Sequence, residues 1–159
     1  MAAFRLGLIG AGRMGQVHLR AISESERIRV VAVAEPSAAN RALVTGADLA
    51  VYADADAMLK AGALDGVHAC WAAPGGGGEG VAGKILNVPV GVGIVGGEVA
   101  DIADIDYGLC RTARGRAWLN LAVACAARVT VPSAAIRDKA SALNISSEVI
   151  PLGVALDRW

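Results

Sequence analysis

Six residues near the start of the sequence have the spacing of a turn that binds phosphate groups. Glycine occupies the first, third and sixth positions of the segment Gly10-Ala11-Gly12-Arg13-Met14-Gly15. In such a turn the first glycine permits a tight bend, the second lets the backbone approach a pyrophosphate, and the third lets the next helix pack closely on the strand. The N-terminus of that helix offers free N–H groups to an anion. The pattern predicts that this turn contacts the pyrophosphate of a dinucleotide.

An acidic residue completes this pattern. Glu35 follows the apolar run Val30–Ala34, and an acid about 20 residues past the glycine turn is placed to accept hydrogen bonds from the adenosine ribose. Its charge would repel a 2′-phosphate, so the cofactor predicted is NAD rather than NADP. The alternative is that the glycines form only a tight turn and that Glu35 is an ordinary solvated residue. We favour the NAD site because strand, turn, helix and acid all occur in the expected order.

Apolar runs of strand length alternate with helix-like stretches along the whole chain, which predicts a parallel sheet with crossover helices. We expect a three-layer, doubly wound α/β fold of Rossmann type, with strand order 3-2-1-4-5-6 and a short seventh strand. Residues 1–159 then form a single domain. The predicted strands are Phe4–Ile9, Ile28–Ala34, Leu49–Tyr52, Gly66–Trp71, Pro89–Val95, Arg128–Val131 and Glu148–Ile150. The predicted helices are Arg13–Ser23, a short helix opened by Ser37, Asp54–Lys60, Gly80–Leu86, Arg111–Ala126 and Ser133–Leu143.

The composition narrows the classes of partner. Fifteen basic and fifteen acidic residues cancel, so no net field attracts nucleic acid or an anionic membrane. The three cysteines have no metal-type spacing, which indicates free thiols in a reducing compartment and a cytoplasmic location. His18 and His68 lack the partner pattern of a metal site or a catalytic triad, so we predict neither. The expected ligand is a small dinucleotide.

Four stretches of the first half resemble the glucose–fructose oxidoreductase and inositol dehydrogenase family of NAD(P) enzymes. They are F-R-L-G-L-I-G-A-G-R-M-G-Q-V-H, V-V-A-V-A-E-P-S, Y-A-D-A-D-A-M-L and L-D-G-V. The resemblance implies cofactor contacts at the six turn residues and Glu35. It also implies that the loop Ala72, Ala73 and Pro74 covers the nicotinamide side. In that family a Glu-Lys-Pro motif follows the next strand, whereas this chain has Leu86-Asn87-Val88-Pro89, so we predict no catalytic activity.

From about His68 onward, the sequence resembles retaining GT-B glycosyltransferases of the glycogen-synthase-like group. The stretches concerned include L-N-V-P-V, I-V-G-G-E-V-A-D-I-A-D-I-D-Y-G, A-A-R-V-T-V-P-S-A-A-I-R-D-K-A and E-V-I-P-L-G-V-A-L-D-R-W. The resemblance implies that the turn Gly96-Gly97-Glu98 lies on the acceptor side, although a plain turn at a strand end is the interpretation we prefer.

Two resemblances in one chain predict a chimera, either engineered or recombined, with a dehydrogenase-like part (1–67) and a glycosyltransferase-like part (68–159). The hypothesis is a non-catalytic, NAD-binding Rossmann-like domain. The alternatives are a ligand-free scaffold built to test the fold and the remnant acceptor domain of a glycosyltransferase. Apolar surface left uncovered in such a hybrid would favour a homodimer.

Overall fold

The computed structural model describes residues 2–46, 48–69, 71–72 and 77–151, and in these residues seven parallel strands form one sheet. The strands are β1 (Phe4–Ile9), β2 (Ile28–Ala34), β3 (Ala50–Tyr52), β4 (Gly66–Ala69), β5 (Val90–Gly93), β6 (Arg128–Val131) and β7 (Glu148–Val149). Their order in the sheet is β3-β2-β1-β4-β5-β6-β7. This architecture confirms the predicted fold class, including the short seventh strand.

Within the described ranges, six α-helices connect the strands and cover the sheet. They are α1 (Arg13–Ser23), α2 (Ala38–Arg41), α3 (Ala55–Ala61), α4 (Gly77–Leu86), α5 (Ala113–Cys125) and α6 (Ala134–Ala142). Short 3₁₀ turns occupy Gly97–Val99, Ala103–Ile105 and Leu109–Arg111. No helix in the described ranges is long and apolar enough to cross a membrane.

Two element boundaries differ from the sequence prediction because side chains bind the backbone there. Helix α5 begins at Ala113 rather than Arg111, since the Thr112 hydroxyl caps it by accepting a hydrogen bond from the Gly115 N–H at 2.9 Å. Strand β5 ends at Gly93 rather than Val95. The N–H of Val95 bonds to the Glu98 carboxylate at 3.2 Å instead of continuing the ladder.

Close packing of glycines accompanies the inclusion of Gly77, the first residue described after position 72, in α4, three residues before the predicted start of this helix. A Cβ on Gly77 would lie 2.4 Å from Trp118 Cε3, and one on Gly80 would lie 2.8 Å from Cys125 Cβ. The two glycines therefore bring α4 against α5 at a distance that larger residues would prevent. This tertiary packing outweighs the poor intrinsic helix propensity of glycine.

The core lies under the middle of the sheet. The largest completely buried side chains come from central strands, the loop after β5 and helices α3 and α5; they are Met58, Ile94, Leu119, Val33, Val90, Val92 and Val131. Strand β1 has β2 on one side and β4 on the other. The chain order reverses at this point, so the carboxyl ends of β1 and β4 flank the crevice in which doubly wound sheets bind ligands.

Candidate functional site

Two of the three glycines in the turn after β1 are required by the fold itself. Gly10 has φ of +91°, a conformation that favours glycine, and its N–H donates to the Ala34 carbonyl at 2.8 Å. A Cβ on Gly15 would lie 2.1 Å from the carbonyl oxygen of Gly10. Because the carbonyl oxygen belongs to the backbone and could not move aside, Gly15 is what allows α1 to start so close to β1.

Gly12 differs from Gly10 and Gly15 because the fold does not require a glycine at its position. Its φ of −66° and ψ of −165° form an extended backbone that any residue adopts. The nearest atom to a Cβ placed there is Asn40 Nδ2, at 3.8 Å, an ordinary contact. The fold therefore has no need of a glycine at position 12. What the glycine does is leave the space above the turn open.

The N-terminus of α1 lacks a side-chain cap. Gly12 is its N-cap residue, and its first turn contains no acidic side chain. The N-terminal caps of α2, α3, α5 and α6 are each made by a side chain, those of Ser37, Asp54, Thr112 and Ser133 respectively. The first N–H groups of a helix have no partner within it, and the helix dipole makes this end positive. In α1 the free N–H groups and the positive end of the helix dipole therefore both remain available to an anion.

Glu35 lies against the glycine turn with its carboxylate buried, at 5% exposure. Its Oε2 accepts a hydrogen bond from the Ala11 N–H at 2.6 Å, and its Oε1 accepts one from the Ser37 N–H at 2.8 Å. Burial alone would raise the pKa of Glu35, but these backbone bonds, a bond from the Asn40 side chain and the charge of Arg41 together hold its pKa below the ordinary value. The carboxylate is thus ionised and retains lone pairs for further donors.

Sequence reasoning missed three polar residues of this site. Asn40 bonds to the Glu35 carboxylate and lies nearest to the open space at Gly12. The Arg41 guanidinium donates to the carbonyl of Glu35 at 2.7 Å, and the Gln16 side chain donates to the carbonyl of Ala11 at 3.1 Å. One feature of the sequence pointed to Asn40 and Arg41. Both follow the capping residue Ser37 in the short helix α2, directly after β2.

The structure brings half of the ten predicted residues together. Gly10, Ala11, Gly12, Gly15 and Glu35 lie side by side at the carboxyl ends of β1 and β2, with Ala11, Gly15 and Glu35 buried. The remaining predicted residues are placed differently. Arg13 is exposed at the first position of α1, Met14 follows it in the helix, Ala72 is completely buried in the main core, and Ala73 and Pro74 lie outside the described residues.

This combination of an open glycine turn, an uncapped helix and a buried acid after β2 defines a dinucleotide-binding Rossmann domain. Residues 4–89, more than half of the chain, match the model of the oxidoreductase family with an NAD-binding Rossmann fold. The chain belongs to this family. Membership confirms the predicted class of ligand, a dinucleotide, and the predicted cofactor, NAD.

Two curated relatives match the first part of the chain. The rhizopine catabolism protein MocA of Rhizobium meliloti is 52% identical over 67 residues, which are 42% of this chain and 21% of MocA. Inositol 2-dehydrogenase of Rhizobium meliloti (strain 1021) is 39% identical over 66 residues, which are 42% of this chain and 20% of that enzyme. The match thus spans about a fifth of the length of each relative.

Solved structures extend the likeness beyond these residues. A protein assigned as a myo-inositol dehydrogenase from Sinorhizobium meliloti 1021 has 27% identity and a TM-score of 0.57, covering 81% of this chain and 36% of its own. The WlbA dehydrogenase from Chromobacterium violaceum, solved with NADH and UDP-GlcNAcA, has 13% identity and a TM-score of 0.59 over 82% of this chain and 35% of its own. At that low identity the second likeness shows the fold alone.

These comparisons correct the functional prediction. The prediction of a non-catalytic chimera is wrong, because the chain belongs to an oxidoreductase family and one curated relative and both structural neighbours are named as dehydrogenases. The comparisons give no support to a glycosyltransferase-like second half. The dehydrogenase fold covers 81% of the chain and so necessarily extends past residue 67. The prediction failed because it relied on a missing motif and on a second resemblance that the comparisons do not support, whereas the fold continues across the supposed junction.

Proposed function

We propose that this chain forms the NAD-binding part of an oxidoreductase that transfers a hydride between NAD and a hydroxyl-bearing carbon of a small polyol. NAD, when bound, supplies the hydride acceptor. The N–H groups at the start of α1 bind the pyrophosphate, and the Glu35 carboxylate accepts hydrogen bonds from the adenosine ribose. The polyol class is suggested by the names of the relatives, one of which is an inositol 2-dehydrogenase.

The observation that carries the proposal is the glycine at position 12. Neither its backbone conformation nor its neighbours require the absence of a side chain, so the absence is best explained by a ligand that approaches the backbone. Phosphate is the group that the surroundings favour, because the helix end beside Gly12 is positive and uncapped. The turn thus fits the pyrophosphate of NAD.

The chain's own residues orient the rest of the cofactor. Glu35 is held by the N–H groups of Ala11 and Ser37, which leaves its outer lone pairs for a ribose diol. Its negative charge opposes a 2′-phosphate at the same place. The loop Ala72, Ala73 and Pro74 stays our proposal for the nicotinamide side. Since the Ala72 side chain is buried, its contact would come from the backbone.

We also propose that the whole chain is one domain and that it self-associates. The single domain is supported by one sheet that runs without a break from β3 to β7.

Self-association is supported by exposed apolar side chains, such as Ile85 at 77% and Ile105 at 68%. Sedimentation of the wild type beside Ile85→Lys tests it: a dimer lost in the variant supports self-association, and a monomeric wild type excludes it. The cytoplasmic location stays a prediction.

Titration with NAD followed by ¹H–¹⁵N NMR tests the main proposal. We expect the largest shifts at the amides of residues 10–16 and at Ser37 and Asn40. Adenosine monophosphate should reproduce the shifts near Ser37, and nicotinamide mononucleotide should not. Shifts confined to the amides of β6 and β7, or no shifts at millimolar NAD, would refute the proposal.

A further inference from the structure

Seven consecutive residues between β5 and α5, from Asp101 to Tyr107, are all exposed to solvent; we call them the 101–107 segment. Three of them are large apolar side chains, of which Ile105 is 68% exposed, Tyr107 51% and Ile102 42%. The backbone of the segment is nevertheless fixed, because Ile102 and Tyr107 form an antiparallel bridge with hydrogen bonds of 2.8 and 3.1 Å. A fixed apolar surface that faces water indicates a contact with another molecule.

The 101–107 segment carries negative charge. It contains Asp101, Asp104 and Asp106 and no basic residue. Arg111 forms ion pairs with Asp101 at 3.4 Å and with Asp106 at 2.8 Å, whereas Asp104 forms no ion pair with a described residue. An unpaired carboxylate therefore lies between two exposed isoleucines. A surface that matches this segment must offer both apolar groups and a base.

Helices α4 and α5 present apolar groups on the outside of the molecule. Helical spacing places Val81 and Ile85 on one side of α4 and Arg114, Ala117 and Leu121 on one side of α5, and all five residues are exposed. We call these five residues the α4–α5 surface. The three residues from α5 line an open groove of about 230 Å³. Because the glycines of α4 bring it directly against α5, the two sides form one continuous surface.

The charge on these two helices is positive. Helix α5 contains Arg114 and Arg116 and no acidic residue, and α4 contains Lys84 and Glu79, so one acid does not balance three bases. The Arg116 guanidinium donates to the carbonyl of Cys110 at 2.5 Å. Arg114 forms no ion pair with any residue in the described part of the chain. The α4–α5 surface thus has an unpaired arginine beside an apolar groove, which favours an acidic and apolar partner.

We propose that this chain forms a two-fold symmetric dimer in which the 101–107 segment of each copy packs on the α4–α5 surface of the other. Asp104 pairs with Arg114 of the second copy, and Ile105 packs in the groove beside Leu121. A two-fold contact uses the same patch of both copies. The two surfaces meet this requirement, because only residues 108–112 separate the segment from the start of α5. The inference rests on the self-association proposed above and is independent of NAD binding.

Charge reversal on each surface tests this pairing, with the dissociation constant of the dimer measured by analytical ultracentrifugation. Asp104→Arg and Arg114→Glu each place like charges at both contacts, and we expect each to weaken the dimer by at least about tenfold. The double variant Asp104→Arg/Arg114→Glu should recover wild-type association. An equimolar mixture of the two single variants should also dimerise, because opposite charges then meet at both contacts. Both residues are exposed, so the substitutions leave the fold intact.

Glu24→Arg is the matched control, because it makes the same change of charge at an exposed residue at the end of α1. It should leave the dissociation constant within about twofold, and a loss as large as in Asp104→Arg would show that net charge controls association. A dimer that resists both single variants, or single variants that stay monomeric when mixed, would overturn this inference but not the proposed self-association. A monomeric wild type would refute both.

Discussion

The Oε2 atom of Glu35 lies 2.6 Å from the backbone nitrogen of Ala11 and accepts its hydrogen bond. This contact joins the end of β2 to the turn after β1, across 24 residues of sequence. The carboxylate that we propose for the ribose and the turn that we propose for the pyrophosphate are therefore held in one fixed geometry before any ligand arrives. Such preorganisation reduces the cost of ordering side chains on binding.

The first prediction concerns the choice between NAD and NADP. Because the Glu35 carboxylate would lie beside a 2′-phosphate, we expect NAD to bind more tightly than NADP. Glu35→Gln should reduce the ratio of the two dissociation constants by about tenfold or more, since it removes the repulsion. Calorimetric titration with each dinucleotide measures this ratio. Glu24→Gln, an exposed change at the other end of α1, is the control, and an unchanged ratio in Glu35→Gln would contradict the assigned role.

The second prediction concerns stability in acid. Burial raises the pKa of Glu35, but hydrogen bonds from Ser37, Ala11 and Asn40 outweigh it and lower the pKa below its ordinary value of 4.5. A lowered folded-state pKa means that the unfolded chain binds the proton more readily. This contribution to stability is therefore fully present above about pH 4.5 and is lost as the pH falls through the folded-state pKa.

Urea unfolding at a series of pH values measures this effect. The free energy of unfolding of the wild type should fall more steeply below about pH 4.5 than that of Glu35→Gln, which cannot titrate. Asp138→Asn, an exposed change on α6, should keep the wild-type slope. Parallel curves for the wild type and Glu35→Gln would show that the hydrogen bonds do not lower the pKa of this group.

The third prediction is that alanine substitutions at two glycines change the free energy of unfolding in opposite directions, because the surroundings of the two glycines differ. Gly15→Ala places a Cβ against the Gly10 carbonyl, a backbone group, and we expect a loss of about 2–4 kcal/mol in the free energy of unfolding. Gly78→Ala lies in α4 with no atom within 4 Å of the added carbon, and it should gain about 0.5–1 kcal/mol. Chemical denaturation checks both values. Equal effects would mean that α1 is not packed on the turn as described.

The fourth prediction concerns Asn40, whose side chain supports the Glu35 carboxylate. Asn40→Ala should weaken NAD binding by about three- to tenfold and raise the pKa of Glu35, because a hydrogen bond to the ionised form is lost. Calorimetry measures the affinity, and carbon-detected NMR follows the titration of the carboxylate. Ala39→Ser, an exposed change next to it, is the control. A change in affinity with no change in the Glu35 pKa would argue against this coupling.

Much of the fold could be predicted because its signals are local. The apolar runs of β1, β2 and β6 are bounded by residues that stop a strand, and each has the limits expected from the sequence. Ser37 and Ser133 cap the helices that they were expected to begin. The start of α4 could not be predicted, because it depends on the fit of Gly77 against Trp118, which is distant in sequence.

The candidate site was predictable in its backbone and less so in its side chains. The glycine spacing predicts where a phosphate can approach, since Gly10 and Gly15 have local geometric reasons and Gly12 leaves the approach to the turn open. The contacts of Gln16 with Ala11 and of Asn40 with Glu35 each span only five residues, but they depend on side-chain rotamers that residue spacing does not specify.

The most direct test of the NAD site is the affinity of Gly12→Ala for NAD, measured by calorimetry beside its free energy of unfolding. The backbone at position 12 accepts alanine without strain, but alanine is a poorer N-cap than glycine, so we predict that the free energy of unfolding changes by no more than about 1 kcal/mol in either direction. The new methyl group occupies the approach of the pyrophosphate, so we predict that NAD binding weakens by at least about tenfold. Wild-type affinity in this variant would contradict the proposed site.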